Sequence, residues 1–303
     1  MIDLDRHVGL QATAALSVWQ RGTQRYGHGP QDYRFLCHSI RKSFMALLMG
    51  IEQEAGRLDL SATLLDLGID DNEGLSRIER QATVYDLMCA RSGIYHPAGY
   101  ETEWMRMIKE KRHSHAPGTF WCYNNWDFNA LGTIYRMASG HSFAEGFRRH
   151  LAEPLGMEDF TLAGDNPDAW VETFAESRHD AYPLRLSNRD MHRVLQLCLQ
   201  KGIWQGQRLI PDGWTELCLL RNSEAGYQGA YGYMWWLERE GCGLPGVVLP
   251  RGTAWGLGAG GHYAMIIPDR DAIVIHRVDT ENGASVSKFE FGRLMARILQ
   301  TLD

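Results

Sequence analysis

The chain has 303 residues, 44% of them hydrophobic and 22% charged, with a formal net charge of -6. These proportions exclude a disordered or fibrous chain, and the length allows one large domain or two modest ones whose core needs no disulfide staples. There is no basic stripe, so neither nucleic acid nor an anionic membrane is an expected partner. Of 31 basic residues only five are lysine: Lys42, Lys109, Lys111, Lys201 and Lys288. Any motif that requires a lysine therefore has few places to occur.

In chain order, Ala14 to Gln20 and Tyr33 to Cys37 read as strands around a turn at Arg21 to Pro30. From Ser39 to Ala55 the period becomes helical, with Ile40, Phe44, Leu47, Leu48 and Ile51 on one stripe and Gly56 as the stop. Thr83 with Asp86, Ser142 with Glu145 and Ser187 with Asp190 have capping-box spacing and open three helices. Glu101 to Arg112 reads as a solvated charged helix, and Pro211 starts a helix through Leu220. Tyr233 to Leu237, Tyr263 to Ile267 and Ala272 to Val278 read as strands, and Lys288 to Leu302 as a final helix. Strands at both ends around a helical middle predict a sheet built by both termini. The expected division is a discontinuous α/β part, 1–75 with 226–303, and a mainly helical part, 76–225, with the active site between them.

The chain opens Met-Ile-Asp-Leu-Asp-Arg, without a basic then apolar leader pattern, and no run nears the ~18 apolar residues of a membrane span. The six cysteines are scattered without C-x-x-C spacing, which favours reduced thiols. The expected location is the cytoplasm. His113 and His115 lack carboxylate or cysteine partners at ligand spacing, so no metal site is expected there, and no cofactor motif is accepted.

Ser39-Ile40-Arg41-Lys42 fits S-x-x-K. On a helix, positions i and i+3 lie one turn apart on one face, so the amine can reach the hydroxyl. A serine at a helix start also sits beside unpaired backbone N–H groups that suit an oxyanion. The amine must lose its proton to act as a base, yet at an ordinary pKa of about 10.4 only roughly one in 2,500 is neutral at pH 7. The apolar run Phe44 to Met49 predicts a buried helix, and burial lowers a lysine pKa. A second match, Ser285-Val286-Ser287-Lys288, lies too near the C-terminus for downstream partners and reads as a cap for the last helix.

Tyr123-Asn124-Asn125 supplies a tyrosine that can share a lysine proton and an asparagine that can bond both the lysine and a substrate carbonyl. Gly256, Gly258 and Gly261 form G-x-G-x-x-G, but they lead into a strand and Pro268 and not into a helix, so a dinucleotide site is rejected. They read instead as a glycine-rich strand edge where substrate lies against backbone. Trp121, Trp126, Trp235, Trp236 and Trp255 cluster near these motifs, as core and wall packing or as an aromatic acyl pocket.

In this order and spacing, the motifs resemble the serine β-lactamase and penicillin-binding-protein superfamily, in particular the branch of class C β-lactamases, D-aminopeptidases, family VIII esterases and nylon-oligomer hydrolases. The resemblance runs from about residue 12 to about residue 300 and rests on Cys37 to Leu60, Thr83 to Gly93, Pro117 to Gly132 and Gly258 to Pro268. It implies an α+β, β-lactamase/transpeptidase-like fold: an antiparallel sheet flanked by helices with an inserted helical subdomain. It further implies Ser39 as acylated nucleophile, Lys42 as base, Tyr123 as proton relay and Asn125 as substrate-binding residue. The substrate-side strand would contribute Ala259, Gly260, Gly261 and His262, with backbone N–H groups of Ser39 and of a residue near His262 as the oxyanion hole. The branch usually carries Lys-Thr-Gly or His-Thr-Gly where Ala259-Gly260-Gly261 stands here, and no glutamate is placed as a dedicated deacylating base. The implied function is hydrolysis of a small ester or amide through an acyl-serine. Alternatives are acyl transfer on the same site, β-lactamase or D-aminopeptidase activity, or a non-catalytic binding relative. Nothing in the sequence sets the oligomeric state.

Overall fold

A computed structural model describes residues 4–303; Met1 to Asp3, part of the segment read for a leader, lie outside it. One antiparallel sheet of eight strands dominates. Its strands are β1 (Thr13–Gln20), β2 (Thr23–His28), β3 (Ser223–Glu224), β4 (Ala230–Tyr231), β5 (Trp236–Leu237), β6 (Ala254–Gly258), β7 (His262–Ile267) and β8 (Ala272–Val278). Their spatial order is β2-β1-β8-β7-β6-β5-β4-β3, so the first strands pair with the last, and nothing between His28 and Ser223 enters the sheet. Strand β8 is buried along its whole length, as a strand covered on both faces must be.

The polar residues of β8 are therefore committed. The His276 ring lies 2.8 Å from Thr13 Oγ1 and 2.7 Å from the Gly261 carbonyl. The Arg277 guanidinium donates to the carbonyls of Phe35 and Leu186 at 2.9 and 3.1 Å and to His262 Nδ1 at 3.0 Å. Together these bonds tie the segment before residue 38 to the sheet.

Five helices matter for the site: α1 (Ile40–Glu54), α2 (Val84–Met88), α3 (Asn125–Ser139), α4 (Asn188–Leu199) and α5 (Lys288–Leu299). Helix α1 is buried on nearly every side, as its apolar run requires, and carries Arg41 and Lys42 into the interior. The capping boxes at Thr83 and Ser142 form as the sequence indicates. Ser187 also caps α4, but the buried Asp190 carboxylate turns to the 158–160 segment and accepts from the amides of Glu158, Asp159 and Phe160 at 2.9–3.0 Å.

Several boundaries differ from the sequence reading. The expected turn at Arg21 to Pro30 contains strand β2; the reversal is only Arg21-Gly22, both at positive φ (51° and 72°), the geometry of a two-residue hairpin. Strand β2 is a mostly exposed edge, so no apolar alternation marks it. Tyr33 to Cys37 shrinks to Phe35–Leu36, which pairs with Arg185–Leu186 and not with β1. The Pro211 helix shortens to Trp214–Cys218, the final helix stops at Leu299, and the charged segment is helical only over Glu103–Ile108. The six cysteines are unbonded. Among the described residues no helix is long and apolar enough to cross a membrane.

Candidate active site

Ser39 is the residue preceding helix α1, and its backbone is already helical at φ -75° and ψ -7°. Its hydroxyl makes no capping bond, unlike those of Thr83, Ser142 and Ser287, so it is free to face the site. The turn before it is held from two directions. His38 sits at φ 49°, a left-handed conformation uncommon outside glycine. Its ring bonds Thr280 Oγ1 at 2.8 Å and its carbonyl accepts from Arg41 Nη1 at 2.7 Å.

Lys42, one turn into α1, is 1% exposed. Its Nζ lies 2.7 Å from Tyr123 Oη and 2.7 Å from Asn125 Oδ1. The faces of Tyr123 and Phe128 close over it, with ring centroids 4.3 and 4.2 Å away. Burial, reinforced by the neighbouring Arg41 charge, pulls the Lys42 amine well below the ordinary lysine range; Glu101 and Asp127 oppose this. Asp127 opposes it weakly, because burial pushes its own carboxyl up to about 8. The Tyr123 phenol is pushed up to about 12 by burial, with the contact from Ser39 the leading influence in the other direction. Near neutral pH the phenol therefore keeps its proton, and the Lys42 amine, which donates to it, is a stronger candidate for a base than an exposed lysine.

Helix α3 delivers both partners. Asn124 is its N-cap, accepting from the Asp127 amide, which places Tyr123 at the end of an extended approach and Asn125 in the first turn. The Asn125 amide nitrogen donates to the carbonyls of Gly99 and Tyr100 at 3.1 and 2.6 Å. With these bonds Asn125 orients Lys42 and ties down the 99–100 loop; the Lys42 contact is the one expected, and a contact with a substrate carbonyl would require one of these bonds to be exchanged.

The glycine-rich strand approaches the serine earlier than the sequence suggests. Ala259 to Gly261 form the β6–β7 hairpin turn, not a strand edge. A side chain at Gly260 or Gly261 would collide with Thr280 or with the Val286 carbonyl. His262 is fully buried, its Nδ1 taken by Arg277. Among the described residues, no hydrogen bond joins any of these four to Lys42, Tyr123 or Asn125. The close approach is at Gly256 and Gly258: a Cβ at Gly256 would lie 3.1 Å from Ser43 Oγ, and one at Gly258 2.7 Å from the Cys37 carbonyl. Strand β5 pairs with β6 only at Ala254 and Trp255, so on that side Gly256 to Gly258 lie beyond its reach. The missed signal was the alternation in Trp255-Gly256-Leu257-Gly258: glycines two apart share one face of a strand and mark a close neighbour.

The wall beside Tyr123 is aromatic. Trp236 and Tyr231 lie 5.4 and 6.0 Å from its ring, and Trp121 packs on Trp236 at 5.7 Å. A cavity of about 660 Å³ opens there, lined by Trp121, Tyr123, Asn222, Gln228 and others. Trp126 is core: its indole donates to Asp71 at 2.6 Å. His113 and His115 form no ligand set; His115 stacks on Phe120 at 3.9 Å.

A buried lysine shared between tyrosine and asparagine, one turn after an uncapped serine and beside an antiparallel sheet built from both chain ends, defines the β-lactamase/transpeptidase-like class of folds. Consistent with that class, the Beta-lactamase family model matches residues 8–287, and the chain belongs to that family. A protein of Bacillus anthracis provisionally described as a 6-aminohexanoate-dimer hydrolase superposes with a TM-score of 0.72 at 21% identity, covering 99% of this chain and 82% of that one. A class C beta lactamase gives 0.71 at 15% identity over 99% and 96% of the two chains. A penicillin binding protein from Bacillus halodurans gives 0.70 at 15% identity over 98% and 99%. At these identities the likeness is one of fold. Among curated proteins, Esterase EstB of Burkholderia gladioli is 28% identical over 153 residues, half of this chain and 37% of the esterase.

Proposed function

We propose that this chain is a serine hydrolase that cleaves small esters or amides through an acyl-Ser39 intermediate. The observation that carries this reading is the buried Lys42 amine, 2.7 Å from both Tyr123 and Asn125 and one helical turn after Ser39. Burial lowers the amine's pKa, the direction a general base requires.

In the acylation half, Ser39 Oγ bonds to the substrate carbonyl carbon while its proton passes to the Lys42–Tyr123 pair. The carbonyl oxygen takes the negative charge, facing the backbone N–H of Ser39 and one from the Gly256–Gly258 stretch. Collapse of the tetrahedral adduct breaks the bond to the leaving alcohol or amine, and Tyr123 returns the proton to that group. In the second half the same pair takes a proton from water, whose oxygen attacks the acyl carbon; Ser39 leaves with the proton and the acid is released. Asn125 holds Lys42 in place throughout.

The test is intact-protein mass after reaction with a fluorophosphonate. One adduct is expected on the native chain and none on Ser39→Ala. Labelling that survives the substitution, or a native chain that never labels or turns over an activated ester, would sink the proposal.

A further inference from the structure

The family pattern places a lysine on the substrate-side strand, and this chain has none there. A different lysine reaches the same neighbourhood. Lys288 is the first residue of α5, and its side chain runs back toward the aromatic wall of the site. Its Nζ lies 5.7 Å from the Trp236 ring centroid and 5.9 Å from that of Trp104. Trp236 is the ring that packs on Tyr123. The hydrogen-bond partner of Lys288 is the neutral amide oxygen of Gln228, and Gln228 lines the same cavity as Tyr123.

Among the described residues no carboxylate lies within 4 Å of this ammonium. Those on the cavity wall are engaged elsewhere: Glu224 pairs with Arg239, and Glu110 lies 3.6 Å from His115. An ammonium held between two indole faces, with a neutral partner and no counter-ion, is arranged to receive an anion from outside the protein. Burial also draws its pKa below the ordinary lysine range, the direction a counter-ion would reverse.

We propose that Lys288, with Trp104, Trp236 and Gln228, forms an anion subsite beside the cavity that Tyr123 and Gln228 line, and that the preferred substrates carry a carboxylate remote from the scissile bond. The subsite deepens the acyl-serine reading and rests on it for its place in the reaction. The absence of a basic residue from the Gly256–Gly258 strand then marks a relocated cation and not an indifference to substrate charge.

The experiment compares mono-4-nitrophenyl glutarate with 4-nitrophenyl pentanoate, two esters of similar length that differ in the terminal carboxylate. The ratio of their kcat/KM values is expected to fall about tenfold in Lys288→Met and to be largely restored in Lys288→Arg. A ratio unchanged in Lys288→Met overturns the subsite. In parallel, glutarate is titrated into the native chain and Lys288→Met, following tryptophan fluorescence. If neither ester is turned over, the acyl-serine reading fails and this titration decides the subsite: saturable binding lost in Lys288→Met supports it, and binding that is absent or indifferent to the substitution overturns it.

Discussion

Two lysines in this chain stand three residues after a serine, and they end in different surroundings. Ser39 is already helical when α1 begins, so Lys42 follows it by one turn on the same face and is 1% exposed. Ser285 lies in an irregular segment, Ser287 caps α5 by bonding the Glu290 amide, and Lys288 is only the first helical residue. S-x-x-K is therefore a statement about helical register. The spacing brings hydroxyl and amine together only where all four residues share one helix. The neighbours differ as well. Lys42 meets a phenol and an amide that fix its geometry, while Lys288 meets two indoles and one amide that leave its charge uncompensated.

That contrast can be broken most directly at Lys42. Lys42→Met should lower kcat for an activated ester by about a thousandfold, within the range for loss of a positioned base. Circular dichroism should show the fold retained. A Lys42→Met variant working within about tenfold of the native rate would erase the distinction between the two lysines.

A smaller effect is expected from the glycines near each motif. In Gly258→Ala the new methyl would meet the Cys37 carbonyl at 2.7 Å and the His262 Cβ at 2.9 Å. The carbonyl cannot retreat without moving the turn that holds Ser39, nor the Cβ without moving strand β7. A loss of about 1–3 kcal/mol in unfolding free energy is expected from overpacking, with a measurable fall in kcat. Gly283, in the turn before the second motif, has φ 81° and nothing within 4 Å of its added Cβ. Gly283→Ala should cost only the strain of a left-handed alanine, about 1 kcal/mol, with kcat unmoved. Denaturant melts and ester kinetics on both variants check the pair.

A pH dependence of stability is also expected, centred on the side of the fold that carries Ser39. Burial holds His38 and His276 at about 4. The unfolded histidines titrate near about 6.5, so between these values the unfolded chain binds more protons than the native one. Stability should therefore fall as the pH drops from about 6.5 toward about 4, by at most about 1.4 kcal/mol per pH unit for each histidine. His276 explains the sign: its Nδ1 faces the Gly261 carbonyl and its Nε2 the Thr13 hydroxyl, an arrangement suited to one neutral tautomer. Urea melts across this range should show a shallower slope in His276→Gln; an unchanged slope would remove His276 from the account.

Local chemistry was legible in the sequence wherever neighbours in the chain decide the outcome. Helix α1, the capping boxes at Thr83 and Ser142, and strand β8 follow from periodicity and short-range bonds. Strand β2 was not legible, because an exposed edge strand has no buried face to write an alternation into the sequence. Nor was the true approach of β6 to Ser39, because the three-residue turn after it carries as many glycines as the strand and drew the reading onto itself.

The sequence alone determined the chemical inventory: a serine and lysine one turn apart, a tyrosine two residues before an asparagine, and no lysine on the substrate-side strand. These are covalent facts and helical spacings. Only the tertiary structure decided where each group spends its hydrogen bonds. It turned Asn125 toward Lys42 and the 99–100 loop, sealed His262 against Arg277, and carried Lys288 from the last helix to the Trp236 wall. Those outcomes depend on contacts between residues far apart in the chain, set by which buried polar groups can satisfy one another once the sheet has closed.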